Sequence, residues 1–134
     1  MKRHGVLNAR LSNVIAALGH GDRLVVCDVG LPIPRSAETV DLALTTNIPR
    51  FLDAVRVILE EAKFDSAIIA TEMETVSPPT FDTLMTMLPG VNITKVPHEE
   101  FKRLTENNGT ITFVRTGEAT PYANVILVAG VTFG

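Results

Sequence analysis

The sequence predicts an α/β fold: a single compact domain, residues 1–134, with helices layered around a largely parallel or mixed β-sheet. Segments with helical spacing alternate with short apolar segments along the chain, which is typical of strands and helices packed in layers. A length of 134 residues suits one domain. A hydrophobic fraction of 46% is enough for a core and argues against disorder.

The first third of the chain predicts one helix and two strands. The helix begins at an Asn8 cap and ends at Gly19. Its apolar face comprises Leu7, Leu11, Val14, Ile15 and Leu18. A strand over 23–28 is apolar enough to be buried on both faces. The two prolines within 30–34 predict an irregular loop, because each removes an amide donor, and 39–44 predicts a second strand.

The middle of the chain predicts two helices around a third strand. We expect Asn47 to cap the first of these helices, with Pro49 in its first turn. Its buried stripe comprises Ile48, Phe51, Leu52, Val55, Ile58, Leu59 and Ala62. A strand over 66–71 follows, and then a helix that begins at 77–79 and stops at 89–90.

The last third of the chain predicts three strands and one short helix. The strands cover 91–96, 110–115 and 124–131, and the helix covers 98–105. Asn107-Asn108-Gly109 is expected to end that helix.

Composition excludes several classes of protein. Cys27 is the sole cysteine, so an intrachain disulfide is impossible. A net charge of −3 argues against binding nucleic acid through its backbone, and the absence of Trp argues against a stacking surface. No stretch has the ~18 apolar residues of a membrane span, and no signal peptide is evident. We therefore expect a cytoplasmic protein with neither nucleic acid nor membrane as partner.

Gly19-His20-Gly21-Asp22 is the first candidate site. Two glycines leave the imidazole of His20 accessible, and the negative end of the preceding helix dipole favours a cation there. Such a histidine is suited to donating a proton near neutral pH. The alternative is an exposed residue that merely follows a helix.

Asp28 is the second candidate, because it ends an apolar strand before a Gly/Pro loop. In open α/β sheets the carboxyl ends of strands line the ligand crevice. A carboxylate there could accept hydrogen bonds from hydroxyl groups or orient a histidine. The alternative is that Asp28 binds the amides of its own turn.

Two later segments carry further polar candidates. His98 and Lys102 share a helix face at i, i+4 and could bind a polyhydroxyl ligand. The alternative is a solvated turn with Phe101 inward. Tyr122 and Asn124 offer the donors and acceptors that sugar hydroxyls require, although the segment could equally be a connecting loop.

Other chemistry has weaker support. No glycine-rich nucleotide-binding motif occurs. His4, His20 and His98 are the only histidines and none has a ligand-type near neighbour, so no metal is expected. Cys27 lies inside an apolar strand and is interpreted as core rather than nucleophile.

A series of short segments, in fixed order, carries a resemblance that spans nearly the whole chain. They are HGVLN (4–8), LGH (18–20), LVVCD (24–28), GLPIP (30–34), HEEFK (98–102), RTGE (115–118), PYAN (121–124) and AGVTF (129–133). Together they resemble the D-ribose pyranase family, relatives of the L-fucose mutarotases. Val29 departs from the smaller alanine expected after Asp28.

The resemblance implies a ribose pyranase-like fold and a sugar ring-form isomerase. Such an enzyme interconverts the pyranose and furanose forms of D-ribose beside ribose uptake, without a cofactor or metal. His20 would be the proton donor and Asp28 the second catalytic residue. The implied sugar-binding positions are Asp28, His98, Lys102, Tyr122, Ala123 and Asn124. Family members form homo-oligomers, described as homodecamers of two homopentamer rings.

The mechanism expected from these residues is general acid–base ring opening and reclosure. His20 would protonate the ring oxygen, while Asp28 would hold either His20 or the anomeric hydroxyl. Three alternatives stay open: a non-catalytic sugar-binding or regulatory subunit of a ribose transporter, a mutarotase acting on fucose, and a small zinc hydrolase.

Overall fold

A six-stranded mixed sheet organises the computed structural model, which describes residues 1–106 and 110–134. The strand order is β2-β5-β1-β6-β3-β4. The strands are β1 (Arg23–Cys27), β2 (Glu38–Asp41), β3 (Phe64–Ala70), β4 (Asn92–Val96), β5 (Ile111–Arg115) and β6 (Val125–Ala129). The predicted α/β class is confirmed.

Strand direction gives the sheet two different edges. β2, β5 and β1 are mutually parallel, as are β3 and β4, while β6 runs antiparallel to both β1 and β3. The first five strands therefore all end at one edge, where β6 begins, which we call the carboxyl edge. They all begin at the opposite edge, where β6 ends, which we call the amino edge.

Helices cover both faces of the sheet, and the central strands β1 and β6 are buried on both sides. The helices are α1 (Ala9–Ala17), α2 (Phe51–Glu61), α3 (Thr71–Val76), α4 (Pro78–Met87) and α5 (His98–Thr105). Residues of α1 to α4 pack with Leu24 and Val26 on one face. Phe101 of α5 packs with Val25 and Cys27 on the other. The prediction that the strand over 23–28 is buried on both faces is thus confirmed for β1.

The predicted termini are confirmed at some helices and strands and wrong at others. Asn8 caps α1, because its Oδ1 accepts from the Leu11 N–H at 2.9 Å, but α1 ends at Ala17, before Gly19. Leu7 lies outside the helix and is exposed. The predicted strand over 39–44 stops at Asp41. The predicted helix end at 107–109 lies outside the described residues.

Three errors concern the middle of the chain. Helix α3, which has six residues and follows β3 directly, was not predicted, because so short a helix shows too little periodicity. Asn47 does not cap α2. It adopts a left-handed φ of 62°, and its Oδ1 accepts from the Ala119 N–H at 2.9 Å. Ile48 is exposed rather than part of the buried stripe.

No helix in the described part of the chain is both long and apolar enough to cross a membrane.

Candidate functional site

Asp28 and Asn124 are joined by two hydrogen bonds at the carboxyl edge. Asp28 follows β1 and Asn124 precedes β6, so the antiparallel strands bring them side by side. The Asp28 N–H donates to Asn124 Oδ1 at 2.8 Å, and Asn124 Nδ2 donates to Asp28 Oδ2 at 3.1 Å. The other carboxylate oxygen, Oδ1, accepts from the Gly30 N–H at 3.0 Å. Buried Asn124 therefore positions the carboxylate of Asp28.

The environment of Asp28 changes its acidity. Burial raises the pKa of its carboxyl above the ordinary value, although hydrogen bonds from Gly30, Asn124 and Leu31 and the nearby charge of His98 act in the opposite direction. A carboxylate with a raised pKa is a better proton acceptor near neutral pH than an exposed aspartate. Asp28 thus combines a fixed orientation with useful basicity.

His98 and Tyr122 form an aromatic wall at the same edge. His98 is the first residue of α5, and its ring meets that of Tyr122 edge-on, with 5.0 Å between centroids. It also stacks on Phe101 at 6.2 Å. Nδ1 of His98 is buried and has no hydrogen-bond partner among residues 1–106 and 110–134. Tyr122 adopts a left-handed φ of 62°, which lets the loop turn its ring back towards α5.

Glu72 holds the start of α5 and is a site residue that the sequence analysis missed. It lies in α3, directly after β3, and its Oε1 accepts from the backbone N–H of His98 at 3.0 Å. Burial works to raise the pKa of Glu72, but hydrogen bonds from its own backbone, Thr71 and His98 outweigh it and the pKa is lowered. A carboxylate that caps a helix N-terminus is favoured by the helix dipole. The only sequence signal was an acidic residue just after a predicted strand.

Glu118 anchors the loop that carries Tyr122 and Asn124. Its buried carboxylate accepts from the Phe51 N–H at 3.0 Å, from Thr120 Oγ1 at 2.8 Å and from Arg50 at 3.1 Å. Two residues earlier, Thr116 Oγ1 donates to the Cys27 carbonyl at 2.7 Å. The RTGE segment therefore ties this loop to the start of α2 and the end of β1.

Two other predicted binding residues have less direct positions. The ammonium of Lys102 pairs with Glu99 Oε1 at 2.9 Å, so its contact with a ligand stays a prediction. Ala123 is completely buried in the core, so its contact with a ligand also stays a prediction.

His20 lies at the amino edge, away from the other predicted site residues. It sits in the turn between α1 and β1, its side chain is 66% exposed, and its Nε2 is 3.7 Å from Asp65 Oδ2. The expected accessibility is confirmed. The five residues of β1 separate it from Asp28, a span of roughly 16 Å at the usual rise per residue. The expectation that Asp28 could hold His20 is therefore wrong within one chain.

The three histidines also lie apart. His4 is near the N-terminus, His20 is at the amino edge and His98 is at the carboxyl edge. Across residues 1–106 and 110–134, no group of three or more His, Cys, Asp or Glu side chains is close enough to hold a metal ion. The zinc hydrolase alternative therefore has no set of ligands in this part of the chain.

A groove of about 460 Å³ lies at the amino edge, between α1 and β5. Its lining includes Val14, Leu18, Glu38 and Thr112, and none of the predicted site residues. We place the candidate site at the carboxyl edge instead, because the positioned carboxylate and the aromatic wall occur there.

The fold and the site define a small α/β domain with a carboxylate and an aromatic wall at the carboxyl edge of its sheet. This pairing of polar and aromatic groups suits a small hydroxylated ligand. The chain belongs to the RbsD / FucU transport protein family, whose profile matches residues 1–132.

Similar proteins agree with this membership. The chain is 51% identical, over 133 residues, to a D-ribose pyranase of Coprothermobacter proteolyticus, covering 99% of this chain and 100% of the relative. It is 46% identical, over 141 residues, to a D-ribose pyranase of Aliivibrio fischeri, with the same coverage. The resemblance found in the sequence is confirmed.

Solved structures give the same fold. The structure of Bacillus subtilis RbsD complexed with D-ribose has a TM-score of 0.92 and 41% identity, covering 99% of this chain and 100% of that one. The fucose mutarotase of Streptococcus pneumoniae in complex with L-fucose has a TM-score of 0.73 and 23% identity, covering 95% of each chain. The second likeness concerns the fold alone.

Proposed function

We propose that this protein is an isomerase that interconverts the pyranose and furanose forms of D-ribose. Relatives that are 46–51% identical over the full chain are D-ribose pyranases. The observation that carries the proposal is the carboxylate of Asp28, held by Asn124 and Gly30 near the His98–Tyr122 wall.

The reaction needs only proton transfers. A pyranose opens when its ring oxygen gains a proton and its anomeric hydroxyl loses one. The open aldehyde rotates, and a different hydroxyl then attacks the same carbonyl carbon. Positioned general acids and bases typically accelerate such steps about 10²–10⁴-fold, and holding the open chain for reclosure adds an orientation effect.

The residues divide these tasks by their chemistry. Asp28, with its raised pKa, takes the proton of the anomeric hydroxyl. His20 gives a proton to the ring oxygen. His98 and Tyr122 contact the sugar through their rings and polar atoms, while Lys102, Asn124 and the backbone of Ala123 bind the remaining hydroxyls.

This division requires two copies of the chain at each site. A general acid must come within about 3 Å of the atom that it protonates, whereas β1 separates His20 from Asp28 by roughly 16 Å. His20 of one copy must therefore reach the carboxyl edge of another.

Exposed apolar side chains at the two edges support such a contact. Leu44 is 80% exposed and Ile48 is 53% exposed after β2, on the side of the carboxyl edge. Phe133 is 80% exposed after β6, on the side of the amino edge. A contact between unlike edges is heterologous, so successive copies can close into a ring. We propose the pentamer rings, the decamer and the cytoplasmic location that the family resemblance implies.

The test is the rate at which ribose exchanges between ring forms, followed by NMR magnetization transfer. We expect wild type to exceed the uncatalysed rate, and His20→Ala to lose about 100-fold or more of the acceleration. His4→Ala is the matched control, because it removes an exposed histidine to which the proposed mechanism gives no role, and it should retain full exchange. A His20→Ala variant as fast as wild type would show that His20 is not the acid.

A non-catalytic sugar-binding subunit is the second candidate. The description of the family as transport proteins favours it, and the carboxyl edge of one chain already holds the binding residues without His20. Saturable ribose binding together with exchange at the uncatalysed rate would support this alternative. The same assay with L-fucose decides the preferred sugar.

A further inference from the structure

The amino edge contains a contact between two side chains, of which the proposed mechanism uses only His20. Nε2 of His20 lies 3.7 Å from Oδ2 of Asp65, which is the second residue of β3. These residues are far apart in sequence, and Asp65 belongs to none of the segments that carry the family resemblance. The contact exists because β1 and β3 both begin at this edge, on either side of β6.

The end of β6 fixes both partners of this pair. The turn that carries His20 is bound to Ala129, because the Gly21 N–H donates to the Ala129 carbonyl at 2.8 Å. Lys63, which directly precedes β3, is bound to Gly130, because the Gly130 N–H donates to the Lys63 carbonyl at 3.0 Å. The backbones of His20 and Asp65 are thus anchored to consecutive residues of one strand end.

Gly130 also provides the space for the Asp65 carboxylate. A methyl group at position 130 would overlap Oδ1 of Asp65, so the carboxylate lies directly against the Gly130 backbone. The close approach explains why position 130 of the AGVTF segment is a glycine. Backbone conformation does not require one there, since the φ of Gly130 is not in the left-handed region.

The other charged groups at this place leave one carboxylate oxygen for the imidazole. Lys63 Nζ lies 3.4 Å from Oδ1 of Asp65, whereas Oδ2 faces His20. Asp22, the remaining acid in the turn, is engaged within it, because its Oδ2 accepts from the Gly19 N–H at 2.7 Å. Asp65 is therefore the acid in contact with the His20 ring.

We propose that Asp65 is a positioning residue for His20, holding the imidazole through Nε2 so that Nδ1 faces the sugar on the neighbouring copy. This role rests on the proposed function. In a single chain the pair is well hydrated and contributes little to stability. The contact instead fixes the orientation of the imidazole, and this places the acidic proton of His20 next to the position of the sugar's ring oxygen. When a neighbouring copy excludes water, Asp65 also stabilises the charged imidazolium before transfer.

The first experiment measures exchange against ribose concentration for Asp65→Asn. We expect kcat to fall about tenfold and KM to stay within about twofold, because Asp65 acts on the acid and not on ribose. Asp65→Glu should recover part of the rate. Asp53→Asn, which removes another exposed acid with a nearby basic partner, is the control and should match wild type.

Gly130→Ala tests the geometry without removing a charge. The added methyl group displaces the carboxylate of Asp65, so this variant should lose kcat as Asp65→Asn does. The free energy of unfolding of Gly130→Ala is measured in parallel, so that a loss of activity is not confused with a loss of folded protein.

A double-mutant cycle with His20→Ala separates positioning from a merely structural role. If Asp65 acts through His20, adding Asp65→Asn to His20→Ala lowers the rate no further. Wild-type exchange by Asp65→Asn, or the same tenfold loss in both backgrounds, would overturn the inference while leaving the proposed function intact. A His20→Ala variant that exchanges like wild type would overturn the acid assignment and this role of Asp65 with it.

Discussion

Cys27 and Asp28 are neighbours at the end of β1, yet their ionisable groups have different environments. The thiol of Cys27 is completely buried between strand and helix. Burial, reinforced by Asp28 and Asp41 and opposed by Arg115, raises its pKa to about 12. Asp28 lies one residue further, beyond the last rung of the sheet, where amide groups bind its carboxylate. One step along the chain thus separates a buried thiol from a carboxylate at the carboxyl edge of the sheet.

Cys27 should resist alkylation in the folded protein. With a pKa of about 12, roughly one thiol in 10⁴ is ionised at pH 8, and only the thiolate reacts. Because the sequence has a single cysteine, mass spectrometry after iodoacetamide treatment gives one unambiguous reading. We expect no adduct in buffer and complete modification in guanidinium chloride. Equal labelling rates in both conditions would contradict the buried position.

At the residue scale, the sequence predicted positions better than it predicted roles. Asp28 could be placed because a strand end before a glycine is visible in the chain. The contact of Asn124 with Asp28 could not be predicted, because only the β1–β6 pairing brings its amide to the carboxylate of Asp28. Asp65 gave no signal, because its contact with His20 joins distant parts of the chain.

At the scale of elements, the start of α2 depends on a side chain from another part of the chain. Arg50 at its N-cap supplies no capping hydrogen bond, and the Phe51 N–H instead donates to Glu118. Close packing reinforces this junction, because a methyl group on Gly117 would collide with the Thr45 carbonyl. The helix start and the loop leading to Tyr122 are therefore stabilised together.

Glu118→Gln should destabilise the fold by about 1–3 kcal/mol at pH 7, because a buried charged acceptor of several hydrogen bonds is lost. Burial works to raise the pKa of Glu118, but hydrogen bonds from Arg50, Thr120 and Phe51 outweigh it and the pKa is lowered. The unfolded chain therefore binds the proton first. The stabilisation is present at neutral pH and is lost as the pH falls through the folded-state pKa, below that of an ordinary glutamate.

Urea unfolding of wild type and Glu118→Gln at pH 7 and at about pH 3 measures this difference, which should shrink in acid. Glu99→Gln is the control, since Glu99 is 74% exposed, and it should unfold like wild type at pH 7. Equal unfolding free energies of Glu118→Gln and wild type at pH 7 would rule out the capping role.

Periodicity was enough to predict α1, α2, α4 and α5, but not the way in which they begin. Asn47 has the residue type of a cap, yet the chain turns there to meet Ala119, and the helix starts four residues later. The antiparallel course of β6 was equally hidden, because strand order follows from packing between distant segments and leaves no local pattern.

At the scale of the whole molecule, the separation of His20 from Asp28 is the decisive feature. This separation could have been read from the sequence, since residues that flank one predicted strand must lie at opposite ends of it. The proposed contact with a second copy has no such signal in the sequence, because no local pattern states which surface a neighbour covers.

A site shared between copies predicts complementation between inactive variants. Co-expressed His20→Ala and Asp28→Ala chains should regain about a quarter of the wild-type exchange rate, because that fraction of contacts pairs an intact His20 with an intact Asp28 under random mixing. The matched control co-expresses Asp28→Ala with His98→Ala, which damage the same edge, and should recover nothing. No recovery by the first pair would contradict the shared site.

The position of β6 also constrains how the protein is made. This strand follows the other five described strands in the chain, yet it lies between β1 and β3 and joins the two halves of the sheet. During synthesis the earlier segments must wait with open backbone edges until residues 125–129 leave the ribosome. A chain that lacks residues 125–129 would therefore leave β1 and β3 with unpaired backbone edges, as two separate half-sheets.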